Sequence, residues 1–218
     1  MRISAIPLMA LLLNLPVNGQ NLQLHYDLGE DRDYFTSTLE MFRPDSAGAT
    51  FFFVDFDYNS SSAGSASLAY WEFARYFRVP ALPGLSWTIQ FNDGVAPWGP
   101  IGDVWLAGVS FPLNLGVITV ATDLLYRRAR FSDGKDLQLT MVWFQPLLAG
   151  KLTLTGYIDL RSDRPAGSKR EIVVLAEPQL WYQVRPDLAL GGELEISHNF
   201  LPETGWPVKP TVAVKWQF

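Results

Sequence analysis

The stretch Val208-Lys209-Pro210-Thr211-Val212-Ala213-Val214-Lys215-Trp216-Gln217-Phe218 decides the fold. Val212, Val214, Trp216 and Phe218 fall on one apolar face, and Thr211, Ala213, Lys215 and Gln217 on the other. That period of two is the signature of a β-strand with different surroundings on its two sides. Segments of the same kind recur at roughly 21–28, 34–43, 49–59, 66–78, 85–93, 103–111, 117–130, 137–145, 151–161, 170–184 and 187–198. No long run with apolar residues at helical spacing interrupts them. The sequence therefore predicts an all-β chain of about twelve strands, an even number.

Composition bounds the alternatives. The chain has 218 residues, of which 48% are hydrophobic and 14% aromatic, which is too apolar for a disordered segment and enough for one domain. It has no cysteine, which excludes disulfides and thiolate metal sites. A net charge of −5 without a basic stripe argues against nucleic acid as a partner. Residues 1–19 combine Arg2 with a largely apolar run from Ile3 to Val17 and then Asn18-Gly19, which reads as an export signal cleaved before Gln20, with a short N-terminal membrane anchor as the competing reading. Cleavage would leave a single domain, 20–218, with a net charge of −6.

The connections alternate in character. Arg43-Pro44-Asp45, Val79 through Gly84, Pro112 through Gly116, Pro146 through Gly150 and Arg185-Pro186-Asp187 are short and rich in breakers. The set between them is longer and more charged: Gly29 through Asp33, Asn59 through Ser65, Asn92 through Gly102, Ser132 through Lys135, Ser162 through Lys169 and Asn199 through Pro207. Within it, Asn92-Asp93-Gly94 and Asp133-Gly134 read as tight turns. Short turns on one side and longer loops on the other, joining strands of about ten residues, fit a transmembrane antiparallel up-and-down β-barrel across a ~25 Å apolar band. The turns would be periplasmic and the loops extracellular. A soluble β-sandwich is the competing architecture. Against it, an alternating last strand ending on an aromatic, Phe218, resembles the signal read by the assembly machinery of bacterial outer-membrane barrels.

In a barrel the more apolar parity of each strand faces lipid and the polar parity faces the lumen. Leu152, Leu154, Ile158 and Leu160 then face out, with Thr153, Thr155, Tyr157, Asp159 and Arg161 inside. Strand four is ambiguous, and Glu72 is placed inside because a lipid-facing carboxylate costs more. The inferred lumen holds Asp27, Glu40, Asp55, Asp57, Glu72, Asp123, Asp159, Glu177, Glu193 and Glu195 against Arg127, Lys151, Arg161, Lys209 and Lys215, with Phe51, Phe53, Phe144, Tyr157 and Trp181 among them. Rings beside carboxylates would make a stacking track, or would simply fill the barrel. Tyr58, Trp105, Tyr126, Phe111, Trp143, Tyr182, Trp216 and Phe218 face out near strand ends as interfacial girdles.

Catalysis finds little support. The two histidines, His25 and His198, have no accompanying serine motif, although His198-Asn199 would be the residue pair of a lipid hydrolase at the wall. Asp55 and Asp57 share a face but lack the ligand-dense loop of a calcium site. No cofactor is implied.

Three strands carry a family likeness. Thr38-Leu39-Glu40-Met41-Phe42, Phe51-Phe52-Phe53-Val54-Asp55-Phe56-Asp57 and Tyr70-Trp71-Glu72-Phe73-Ala74-Arg75 resemble the N-terminal strands of the Tsx-like nucleoside-specific outer-membrane channels. The resemblance covers about a quarter of the chain. It implies a monomeric twelve-stranded barrel passing nucleosides, and it singles out Glu40, Phe53, Asp55, Glu72 and Arg75. To these, parity adds Phe51, Asp57, Asp123, Arg127, Tyr157, Asp159, Glu193 and Glu195 as pore-lining expectations. The parity of Arg75 opposes that of Glu72, so one of them needs a bulge or a place at the membrane edge. The expected function is passive diffusion of small solutes, nucleosides first, through a bacterial outer membrane. The alternatives are a plugged barrel with a structural or surface-interaction role and, more distantly, an outer-membrane lipid hydrolase.

Overall fold

The computed structural model describes residues 19–30, 32–59, 65–200 and 203–218. The expected export signal lies outside them apart from Gly19, as do parts of the first, second and last expected loops. Twelve strands form the wall: β1 (Gln20–Asp27), β2 (Phe35–Asp45), β3 (Gly48–Asp57), β4 (Leu68–Arg78), β5 (Ser86–Ala96), β6 (Val104–Asn114), β7 (Thr119–Ala129), β8 (Asp136–Leu147), β9 (Leu152–Asp163), β10 in two pieces (Glu171–Ala176 and Gln179–Arg185), β11 (Leu188–His198) and β12 (Val208–Gln217). Each pairs antiparallel with its sequence neighbours, and β1 closes on β12 from Asn21↔Gln217 to Asp27↔Thr211. Closure leaves no unpaired edge, as a strand structure in hydrocarbon requires.

The turn side is built by local chemistry. At the β2–β3 hairpin, Asp45 Oδ1 accepts the backbone N–H groups of Ala47 (2.8 Å) and Gly48 (2.9 Å), an Asx turn that fixes the register of the next two strands. At the β8–β9 turn, Leu148, Ala149 and Gly150 all take positive φ.

Two expectations are corrected. Asn92-Asp93-Gly94 is strand, not a turn: β5 runs on to Ala96 and folds back through Val95↔Pro100, so the loop is shorter than its sequence reads. The segment 170–184 is not one continuous strand. Pro178 offers no N–H, and the ladder breaks at Glu177-Pro178 opposite Gly156, whose φ of +141° and closeness to Glu177 O leave no room for a Cβ. Glu177 N still donates to Tyr157 O (3.0 Å), and Leu194 N to Pro178 O (3.0 Å), so the wall stays closed across the bulge.

Exposure separates the two faces. Leu22, Leu24, Trp87, Ile89, Leu124, Leu180, Leu190 and Val212 are exposed on the outside, while Gln23, His25, Thr88, Gln90, Asp123 and Gln138 are buried inside. The girdle residues Tyr58, Trp105, Tyr126, Tyr182, Trp216 and Phe218 are exposed as well. Polar groups inside and bare apolar groups outside invert the arrangement of a water-soluble domain. Leu124→Arg, in mid-strand on the outer face, is expected to cost about 2–4 kcal/mol in unfolding from phospholipid bilayers; a cost near zero would mean that this face does not meet hydrocarbon.

Candidate functional site

The lumen is the candidate site, and strand register assembles it. Glu40, Phe53, Glu72 and Asn92 lie side by side on β2–β5, as do Thr38, Asp55 and Tyr70, and Thr36 and Asp57. On the far wall Thr155, Gln179 and Glu193 are level across β9, β10 and β11. Strands β4 and β10 are six apart in a ring of twelve, so these groups face one another across the barrel. Asp55 is within electrostatic range of both Glu72 and Glu193, and Glu177 of Glu193 and Asp55.

Neutral donors hold these acids. Thr38 Oγ1 donates to Asp55 (2.5 Å), Thr36 to Asp57 (2.9 Å), Thr140 to Asp159 (2.5 Å) and Gln179 Nε2 to Glu193 (2.6 Å). Tyr70 Oη (2.6 Å) and Asn92 Nδ2 (2.8 Å) both donate to Glu72 Oε1, while Tyr76 Oη and Gln90 Nε2 donate to Asp123. Along β1 a chain of side chains leads to Glu40. Asn21 Nδ2 donates to Glu40 (2.9 Å), Gln23 Nε2 donates to Asn21 (2.9 Å), and Gln23 Oε1 lies 3.0 Å from His25 Nε2. With the Gln23 oxygen as acceptor, Nε2 of His25 carries the proton, and Nδ1 accepts from Thr211 Oγ1 (2.9 Å).

Three of the cations sit at the loop end. Arg32, from the loop after β1, turns inward and makes a two-pronged contact with Glu195 (2.9 and 3.2 Å) and a third with Asp27 (3.1 Å). Burial alone would loosen its proton, but the bonds to Glu195 and Asp27 prevail and hold it more firmly than usual. Beside it the Tyr34 phenol is pushed up to about 12, first by burial and then by the charge of Asp57, so it stays neutral. Lys209 reaches Glu203 (3.0 Å) and Glu30 O (3.1 Å), and Arg170 lies 3.6 Å from the fully buried Asp136. All three contacts lie at the loop end. At the turn end, Lys215 sits 3.9 Å above the ring of buried Trp181.

Of the expected site residues, Glu40, Phe51, Phe53, Asp55, Asp57, Glu72, Asp123, Arg127, Tyr157, Asp159, Glu193 and Glu195 occupy the inner face. Arg75 does not. The odd positions of β4 point outward, and Arg75 pairs with Asp45 (2.5 Å), bonds Thr50 and stacks over Phe77, in an outer groove with Phe73, Ile89, Phe91 and Trp105. Its place is the turn-side edge, one of the two solutions its parity allowed. Lys151 is likewise removed from the lumen, because it falls in the β8–β9 turn and is exposed. The sequence reading missed Arg32, because nothing in a charged loop says that it folds inward. It also missed Asp136 and Asp163, which the parity of β8 and β9 would have reached one step further along. His198 stacks on Trp206 with Nδ1 2.7 Å from Gly205 O, and among the described residues neither histidine is bonded to a serine. A double-mutant cycle on Arg32→Ala and Glu195→Ala is expected to give a coupling of about 1–3 kcal/mol in unfolding measurements; a coupling within error of zero would show the clasp to be energetically idle.

Solved structures share this architecture. The KdgM porin is 12% identical, with a TM-score of 0.55 over 91% of this chain and 98% of that one. The NanC porin is 8% identical, with a TM-score of 0.58 over 91% of this chain and all of that one. At such identity the likeness establishes the fold: a closed antiparallel barrel of the outer-membrane porin type. No curated protein is significantly similar in sequence. The model of one family, described as "Domain of unknown function (DUF5020)", matches residues 19–218, so the chain belongs to that family.

Proposed function

We propose that this chain is an outer-membrane channel for the passive diffusion of small neutral or cationic solutes. The observation that carries this reading is the bracing of the mid-lumen acids by Thr, Gln, Asn and Tyr side chains rather than by cations. A neutral donor stabilises a carboxylate without cancelling its charge, so Asp55, Glu72 and Glu193 keep a negative potential in the narrow part of the barrel. Low-dielectric walls focus that potential and disfavour anions. Porin-like neighbours support a channel, while the solute is a separate matter. The KdgM porin has been solved in complex with oligogalacturonate, a polyanion that this acid-rich lumen would repel.

Nucleosides are the leading class on the strength of the Tsx-like resemblance and of one feature of the wall. Phe51, Phe53 and Tyr70 form a run of rings with centroids 5.9 and 6.0 Å apart, next to Asp55 and Glu72. Such a run offers stacking for a base and hydroxyl partners for a ribose, each contact weak enough for release. The second reading is a plugged barrel, favoured by the complete burial of Asp136 and Ser197 and by the Arg32 clasp over the loop end.

Reversal potentials of the refolded protein in planar bilayers decide between them. Wild type is expected to prefer K⁺ over Cl⁻, and Glu72→Gln combined with Glu193→Gln to lower that preference severalfold, most clearly at low salt where screening is weak. Addition of uridine is expected to block the current. A folded barrel that never conducts would overturn the channel reading and leave the plugged one.

A further inference from the structure

The arginines that the acid-rich lumen does hold are underused. Arg127, on β7, is 7% exposed; its nearest carboxylate is Asp163 at 3.6 Å, and its buried Nη1 has no hydrogen-bond partner. Arg161, on β9, has its guanidinium 5.3 Å from the Phe200 ring centroid, and its buried Nε is likewise unpartnered. Among the described residues Arg161 makes no ion pair. A buried guanidinium without acceptors is costly to maintain.

Within reach of these arginines' charge are acceptors with spare capacity. Both hydrogen bonds that Glu72 receives from side chains fall on Oε1, which leaves Oε2 free for the lumen. Asn92, 8% exposed, gives its amide N–H groups to Glu72 and Tyr70, and its buried Oδ1 has no partner. Glu72 is within electrostatic range of both Arg161 and Arg127, yet among the described residues no ion pair within 4 Å joins it to either. Opposite charges within electrostatic range of one another stop short of contact, with unused donors on Arg127 and Arg161 and unused acceptors on Glu72 and Asn92.

We infer that Arg127 and Arg161 together with Glu72 and Asn92 form a binding site for a small zwitterion of the α-amino acid type. Its carboxylate would accept from the two guanidiniums, whose planar forks suit that group. Its ammonium would donate to Glu72 Oε2 and Asn92 Oδ1. A simple anion gains the arginines but meets Glu72 and the neighbouring Asp159. A simple cation gains the acids and leaves the guanidiniums unmet. A net-neutral molecule carrying both charges answers every unpartnered group and enters the negative lumen without penalty. This inference rests on the channel reading and narrows its solute class.

The test is saturation-transfer NMR on the folded barrel in detergent, which needs no conduction, with L-alanine, L-alaninamide, N-acetyl-L-alanine and uridine as probes. L-Alanine is expected to bind about tenfold more tightly than either capped form, each of which loses one charged contact. Arg161→Gln and Glu72→Gln should each abolish that preference, with Arg161→Lys restoring part of it, and the heat-dependent gel shift of each variant reports folding. Equal signals from all four probes would mean that water fills the cluster and would overturn the inference, as would binding of uridine without L-alanine. A barrel that binds L-alanine selectively but never conducts would sink the channel reading and leave the site standing.

Discussion

In hydrocarbon every backbone N–H and C=O must find its partner within the protein, and the pairing of β1 with β12 is where this chain meets that demand. Without it the wall is an open sheet with two bare edges. With it, register is fixed all round the ring, and each residue's side of the wall follows from its position in the strand. The inward set, from Gln23 and His25 on β1 to Thr211 and Lys215 on β12, is a consequence of closure. The lumen's chemistry is therefore written by every second residue.

The polar interior is arranged by charge as well as by parity. Acids are spread over β2–β4, β7 and β9–β11, and Asp55, Glu72, Asp123, Asp159 and Glu193 are braced laterally by uncharged donors that leave the field intact. Arg32, Lys209 and Arg170 are gathered at the loop end, where they tie loops to the rim. Had those cations lain level with Asp55 and Glu193, the same residues would have cross-linked the barrel shut. Composition alone does not distinguish the two cases.

Much of this was legible in the sequence, and for a physical reason: a wall with lipid on one side and polar space on the other enforces alternation. The twelve strands, the short-turn side, the outward girdle and the inner face of Glu40, Asp55, Glu72, Asp159 and Glu193 all follow from it. Arg75 shows the limit of motif likeness. Its neighbours Tyr70 and Glu72 point inward, but its own parity sends it to the outer edge, where Asp45 pairs with it. The inward fold of Arg32 was not legible, since it depends on a loop's path over the rim that no local pattern encodes. The strand through Asn92-Asp93-Gly94 was hidden because turn-forming residues were recruited into a ladder, with Gly94 lying close to Ala69 O and the Ile101 side chain.

The break in β10 ties these threads together. A regular strand there would keep its side chains in the plane set by β9 and β11. Pro178 and the strained Gly156 instead bend the wall at Glu177, directly across from the acids of β3 and β4. Bulges cluster where a strand must re-aim a side chain. Here the irregular wall supplies one side of the acidic level, and the unbroken β3–β4 ladder supplies the other. The placing of Glu177 is thus set by main-chain geometry, while its charge is set by the side chain alone.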